Sequence, residues 1–495
     1  MAGGGEVNGL ARRIRLALAI LAVGCLTRAA GSAQAQSSPL AFVSCPVSIG
    51  GTPGAITTGD FNRDGNPDLA FINGADGSVL VLLTNPTLFS MGNCQGAVTP
   101  STVSPGSPVP SAITAGDIEQ NGIEDLVVAV QAGVVVLRGN GSGGFAPDPA
   151  PLPAGADPQV VVLADVDGDG HTDIVVGNGN GNSVSILYGQ TVGFAPAATI
   201  ALGGPVTAMV VQDFNQDSYN DIVAVSSLTG QATVLLQLPS APRSFRQLPA
   251  VAVGVAPTTV AAGDFNGDGK PDLAVTSGGP TGVLGVFLND LPTQDPAFTK
   301  ASEVGTGPSP LAVAIEDFNR DSKLDAVVAN QGDGTLSFFL GNGTGGLSET
   351  FPSDCTTAAD RRCAVGQQPR DVVVADVDGD GRGDVITTNQ GSGSLSVLLT
   401  SLPPPTPSPT PTSSPTRTPT PTVTPTSSAT RTPSLTPTQT WSPSPAPTAT
   451  ILNCATGTML CVSGQSCAIQ SPGQPRQTAW WLAVPAAWLL WRRRR

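Results

Sequence analysis

The chain has 495 residues, 40% of them apolar and only 12% charged, with 59 Gly and 46 Pro. That mix suits a sizeable core of short strands joined by tight turns, either as two to four domains or as one large repeat domain. The formal charge of −14 argues against a nucleic-acid partner, because phosphate binding needs clustered Lys and Arg.

Residues 1–35 read as a secretory signal peptide. Arg12, Arg13 and Arg15 form a positive n-region, Leu16 to Leu26 an apolar core, and Ala33-Gln34-Ala35 a cleavage site. Two rivals are an uncleaved N-terminal helix and lipoprotein processing at Cys25. The second lacks a large aliphatic residue three positions before the cysteine, where Ala22 stands.

From Asp60 onward one nine-residue phrase recurs seven times. It reads DFNRDGNPD from Asp60, DIEQNGIED from Asp117, DVDGDGHTD from Asp165, DFNQDSYND from Asp213, DFNGDGKPD from Asp264, DFNRDSKLD from Asp317 and DVDGDGRGD from Asp376. The first aspartates are 57, 48, 48, 51, 53 and 59 residues apart, a period within the range of propeller blades. An apolar strand precedes each phrase, as in Thr259 to Ala262, and another follows it, as in Leu273 to Thr276. A Gly- or Asn-rich turn leads to a third strand, such as Val184 to Tyr188. A Phe or Leu then opens an irregular fourth strand that ends at a Gly-Pro-type turn. Four short strands per unit predict an all-β, seven-bladed β-propeller spanning residues 39–401. The seventh phrase is followed by only two strands, and Ala41 to Ile49 has the form of a fourth strand without a blade. The N-terminal strand is therefore expected to complete the last blade and remove its open edge.

The acidic phrase has a chemical reason. Oxygens at positions 1, 3, 5 and 9, with a main-chain carbonyl at position 7, can wrap one hard cation. The candidate ligands are Asp60, Asn62, Asp64, Asn66 and Asp68 in the first loop, and Asp117, Glu119, Asn121, Ile123 and Asp125 in the second. The third offers Asp165, Asp167, Asp169, His171 and Asp173; the fourth Asp213, Asn215, Asp217, Tyr219 and Asp221. The fifth offers Asp264, Asn266, Asp268, Lys270 and Asp272; the sixth Asp317, Asn319, Asp321, Lys323 and Asp325. The seventh offers Asp376, Asp378, Asp380, Arg382 and Asp384. Position 12 is not acidic (Phe71, Val275, Thr387), so these are not EF-hands, which place a bidentate Glu there. Ca²⁺ fits better than Mg²⁺, which keeps an octahedral shell with several waters. Up to seven Ca²⁺ sites follow. The third and seventh loops, with four Asp each, are the strongest, and the Asp117 loop is the weakest. Ser218 and Ser322 stand where Gly is preferred and predict strain. The alternative is a set of Asx-turns without metal.

Beyond the repeat, residues 402–452 are almost all Pro, Thr and Ser and form an extended linker. Residues 453–478 carry Cys454, Cys461 and Cys467, and 479–495 combine an apolar stretch with four terminal arginines. Thirteen apolar residues, Ala479 to Trp491, are fewer than the roughly 20 that span a bilayer. The order of linker, apolar stretch and arginines resembles bacterial C-terminal sorting tails, the alternative being an amphiphilic tail with no such role. Eight cysteines in an exported chain predict disulfides, with Cys355–Cys363 and Cys45–Cys94 as candidate pairs.

The phrase, its flanking strands and its period resemble the FG-GAP or VCBS repeats of bacterial surface proteins and the head of integrin α subunits. That resemblance covers about residues 39–400. It implies a seven-bladed propeller with Ca²⁺ between the first and second strands of each blade, held at the positions named above. It implies no single activity.

Other motifs fail on context. Arg382-Gly383-Asp384 is an integrin-ligand tripeptide, but Asp384 is the ninth position of a loop. The Gly-rich runs 139–144 and 341–346 match a dinucleotide fingerprint yet open no helix, so they read as strand-connecting turns. The only histidine, His171, lies inside a loop, which leaves no Ser–His or Cys–His arrangement and predicts no enzyme. The expected role is an exported cell-surface or secreted interaction module, adhesive or protein-binding, with an extracellular protein or glycan as partner. A carbohydrate-binding module and a purely structural propeller are the alternatives. The lectin reading is weakened because all five tryptophans lie in the linker or tail. Membrane contact is expected only through the C-terminal tail. The Gly-rich turns opposite the acidic loops, such as Asn178 to Ser183 and Asn389 to Ser394, are a candidate binding face or plain hairpin turns.

Overall fold

A computed structural model describes residues 41–106, 110–278, 281–289, 295–350 and 362–401, with two short strands at 452–454 and 457–459. The signal peptide, most of the Pro/Thr/Ser linker, the apolar tail, Cys355, Cys461 and Cys467 lie outside these residues. The second compact unit contributes one described hairpin, Leu452–Cys454 paired with Gly457–Met459.

Residues 41–401 form seven antiparallel sheets, each built on a meander of consecutive strands. Blade 1 holds Pro53–Gly59, Asp68–Asn73, Ser78–Thr84 and Val98–Val103. Blades 2 to 6 repeat the order, starting from Ala112–Gly116, Pro158–Ala164, Ala208–Gln212, Pro257–Gly263 and Pro310–Glu316. Blade 7 takes three strands from the end of the repeat, Pro369–Ala375, Asp384–Asn389 and Ser394–Ser401. Its outer strand is Ala41–Ser48, paired from Ala41↔Ser401 to Ser48↔Ser394. The N-terminal strand therefore closes the ring, as the missing fourth strand predicts.

The innermost strands touch in cyclic order, blade 7 meeting blade 1 through Pro369–Ala375 and Pro53–Gly59. They surround a central cavity of about 420 Å³, with Ser111, Gln159, Thr207, Thr258 and Arg370 among its lining. Second strands such as Asp173–Asn178 (DIVVGN) and Asp221–Ser226 (DIVAVS) are buried along their whole length. They lie between neighbouring blades with both faces covered, which explains runs of Val, Ile and Ala in place of strict alternation. The apolar core is accordingly divided into seven clusters, one at each interface between blades. Position 2 of every acidic loop feeds one of them. Phe61, Val166, Phe214, Phe265, Phe318 and Val377 are buried there, and Ile118 packs against its edge.

Two features tie the closing strand down. Phe42 packs in the blade 6–7 cluster, 4.8 Å from the Phe338 ring and 6.4 Å from Phe318. Cys45 forms a disulfide with Cys94, which lies between the third and fourth strands of blade 1. That connection also holds a short helix, Pro86–Ser90, capped by the Asn85 side chain and anchored by buried Phe89. Cys363 is disulfide-bonded as well. Outer strands are the irregular element the sequence predicts. Blades 4 and 6 carry an extra short segment each, Val251–Ala252 and Cys363–Ala364, on the same third strand as the fourth.

Candidate metal-binding loops

All seven acidic loops connect the first and second strands of a blade, which places them at one end of the ring. Their shape comes from their own carboxylates. In the first loop Asp60 accepts the backbone N–H groups of Asp64 (3.0 Å) and Gly65 (2.9 Å). Asn62 accepts that of Asp64 (2.9 Å), and Asp64 accepts that of Asn66 (2.9 Å). The seventh loop repeats this with Asp376, Asp378 and Asp380. These are nested Asx-turns. Two backbone positions are left-handed in every loop. Position 4 is Gly168, Gly267 or Gly379 in three blades, but Arg63, Gln120, Gln216 or Arg320 in the others. Position 6 is Gly in five loops and Ser218 (φ 73°) or Ser322 (φ 65°) in two. The strain expected at both serines is therefore present.

Position 9 has a second role that its spacing does not reveal. Asp68, Asp125, Asp173, Asp221, Asp272, Asp325 and Asp384 are buried. Asp173 accepts the N–H of Val166 (2.9 Å) at the loop entrance and of Gly189 (2.7 Å) at the end of the third strand. Asp221 does the same with Phe214 and Gln237, Asp272 with Phe265 and Asn289, and Asp384 with Val377 and Thr400. One carboxylate thus pins the loop to two strands. Burial pushes the Asp173, Asp221, Asp325 and Asp384 carboxyls up to about 7, and those of Asp68 and Asp272 to about 6. Neighbouring loop aspartates add to the rise, and the accepted N–H bonds oppose it.

In two loops the acids converge. Asp165, Asp167 and Asp173, and likewise Asp376, Asp378 and Asp384, each offer an oxygen within 4.8 Å of the others. Two ligands at about 2.4 Å on opposite sides of one Ca²⁺ stand about 4.8 Å apart, so both triads fit a single ion. These are the two loops with four aspartates. The third loop also meets a cation from the next blade. Arg243 places Nε 2.6 Å from Asp167 and Nη2 3.4 Å from Asp169, with its guanidinium 4.5 Å over the Tyr188 ring.

Loops also touch one another. The Gln216 side chain donates to the Gly269 carbonyl of the next loop (2.7 Å), and Gln120 and Arg320 reach Gly170 and Gly381 in the same way. Asn220 donates to the Asp165 carbonyl (2.8 Å). Comparing position 4 across the repeats is the signal that would have exposed this belt.

Several expectations resolve into turn structure. Asn140 and Asn342 each accept two backbone N–H groups of their Gly-rich run, so both runs are turns between third and fourth strands. At the opposite end, Asn178, Asn330 and Asn389 are buried and donate to hydroxyls of the facing strand. They make tied hairpin turns. Asp384 is buried, so the Arg382-Gly383-Asp384 tripeptide does not present its carboxylate. His171 sits at position 7 with its backbone N–H on Asp169 (2.9 Å).

Fold and site together define a seven-bladed propeller with one acidic loop per blade. The chain is an FG-GAP β-propeller: a model of the FG-GAP-like repeat matches residues 117–176, 165–224, 213–275 and 317–387. Each match opens on the first aspartate of a loop and ends in the second strand of the following blade. No curated protein matches the chain. Among solved structures it is similar to BBS1N in complex with ARL6DN (14% identity, 74% of this chain and 98% of that one, TM-score 0.49). It is also similar to an Agrocybe aegerita lectin (18%, 63% and 89%, TM-score 0.44) and to a putative 6-phosphogluconolactonase of Bacteroides fragilis (13%, 65% and 97%, TM-score 0.44).

Proposed function

We propose that this FG-GAP propeller is an exported interaction module whose acidic loops bind Ca²⁺, and that it acts at the cell surface or after secretion. The observation that carries the calcium reading is the pair of carboxylate triads, each within the span of one ion. Oxygen ligands alone, supplied by short Asx-turns, suit a hard cation. The ion would lie across carboxylates that otherwise repel one another, and the position-9 aspartate would transmit its presence to two strands. Calcium then stiffens one end of the ring, and a rigid rim is a suitable platform for a partner. The FG-GAP repeat suggests a protein partner, which we place outside the cell because residues 1–35 have the form of a signal peptide. The role is binding rather than chemistry, and the tail 479–495 is the proposed membrane contact.

Thermal unfolding with Ca²⁺ and with EGTA tests the metal. A melting temperature that rises with free Ca²⁺ is expected, since a ligand of the folded state stabilises by mass action, and an unchanged one removes calcium from the proposal. Capture of an envelope protein by the purified chain in Ca²⁺ but not EGTA tests the interaction role. A hit on a glycan array in its place would make the module a lectin.

A further inference from the structure

The second loop does not fit a metal, and the reason lies outside the loop. Continuing the register of the second and third strands by one residue sets the position-9 aspartate opposite leucine in five blades: Leu83, Leu236, Leu288, Leu340 and Leu399. Blade 3 has Tyr188 there, and blade 2 has Arg138. Arg138 Nη1 lies 3.1 Å from Glu119 and 3.6 Å from Asp125, positions 3 and 9 of the loop. Its Nε and Nη2 lie 3.3 and 3.2 Å from Asp148, just beyond the fourth strand. The other Glu119 oxygen accepts the Asn121 side chain (2.9 Å), and the two Asp117 oxygens accept the N–H groups of Asn121 (3.0 Å) and Gly122 (2.7 Å). The Asp117 bonds are those the first loop also makes; what sets this loop apart is the guanidinium, which stands between Glu119 and the buried Asp125.

We propose that Arg138 is the permanent cation of blade 2, so that this blade binds no Ca²⁺ and is held by an ion pair that never dissociates from the chain. Arginine stays charged at any working pH and spreads its donors over several carboxylates, which a leucine cannot do. The loop has changed in step: Glu119 is long enough to reach the guanidinium, and Asn121 removes one negative charge. Arg243 differs in that its ion pairs reach positions 3 and 5 of the third loop and not the buried Asp173, so the ring carries at most six metal loops and one with a built-in charge.

The inference rests on the calcium reading for its stoichiometry but not for the ion pair, and two measurements on the full chain separate them. In a calorimetric Ca²⁺ titration, Glu119→Gln is expected to bind the same number of ions as the parent, while Asp165→Asn binds one fewer. Loss of one ion in Glu119→Gln overturns the proposal. In EGTA, Arg138→Leu, which installs the residue five blades already pack at this place, is expected to melt several degrees below the parent. An unchanged melting temperature overturns it too. If the parent binds no Ca²⁺, the calcium reading fails, and the EGTA melt alone decides the role of Arg138.

Discussion

At Ser218 and Ser322 an L-residue with a side chain holds a left-handed backbone, with φ of 73° and 65°. Five other loops place Gly at that position. A Cβ added at Gly65 or Gly170 meets nothing within 4 Å, so the cost at the serines is conformational rather than steric crowding. Ser218→Gly and Ser322→Gly are each expected to stabilise the chain by about 1 kcal/mol, the penalty for this region less the entropy glycine loses. Urea unfolding checks this, and the gain should persist in EGTA because it belongs to the backbone. The position-9 aspartates predict the opposite sign. Removing the Asp173 side chain leaves the N–H groups of Val166 and Gly189 buried without an acceptor. Asp173→Ala should cost about 3 kcal/mol from those two groups alone, measured in EGTA, where metal loss cannot contribute. A variant as stable as the parent there would reduce position 9 to a metal ligand.

Among the elements, the Ala41–Ser48 strand does most to make a ring from a row of sheets. Its aromatic anchor, Phe42, is 2% exposed and packs against two other phenylalanines. Phe42→Ala is expected to cost about 3–5 kcal/mol, as for other buried aromatic truncations. The Cys45–Cys94 disulfide links residues 49 apart in sequence. Closing a loop of that size in the unfolded chain corresponds to about 4 kcal/mol in the chain-entropy model, so Cys45→Ser with Cys94→Ser should lower stability by that order. This closing strand is legible in the sequence, because a blade short of one strand and a strand short of a blade leave one economical solution. The acidic loops were legible for a similar reason: seven recurrences at one phase fix which side chains share a function. Arg138 and Arg243 were not legible. Each enters a loop from another strand or blade, and the pairing depends on cross-strand register and on the reach of a long side chain. Aligning the third strands by their distance from position 9 would have isolated Arg138 as the charged residue in a leucine column. Nothing comparable would have placed Arg243, which arrives from the neighbouring blade.

For the whole ring, burying one aspartate per blade has a consequence for pH. Six of these carboxyls are pushed up to about 6 or 7 by burial. In the unfolded chain each titrates near 3.9. The folded state therefore holds its protons more tightly than the unfolded state. This contribution to stability is fully present below about pH 4 and is lost as pH rises through 6 to 7. In EGTA the melting temperature should fall between pH 5 and pH 7.5, opposite to the trend of salt-bridged carboxylates. A bound cation reverses the preference, because it favours the ionised form. Ca²⁺ should then add little at pH 5 and much more at pH 7.5, and the gap between the Ca²⁺ and EGTA melting curves should widen across that window. A gap that is constant with pH would mean that the buried aspartates do not report the metal. Blade 2 bears on the size of the effect: with Arg138 beside Asp125, its loop keeps a cation in both conditions. Arg138→Leu should therefore steepen the loss of stability with rising pH in EGTA, because a seventh buried carboxylate is then left without a counter-charge. The same experiment thus separates a ring stabilised only by metal from one that carries part of its neutralising charge in the chain.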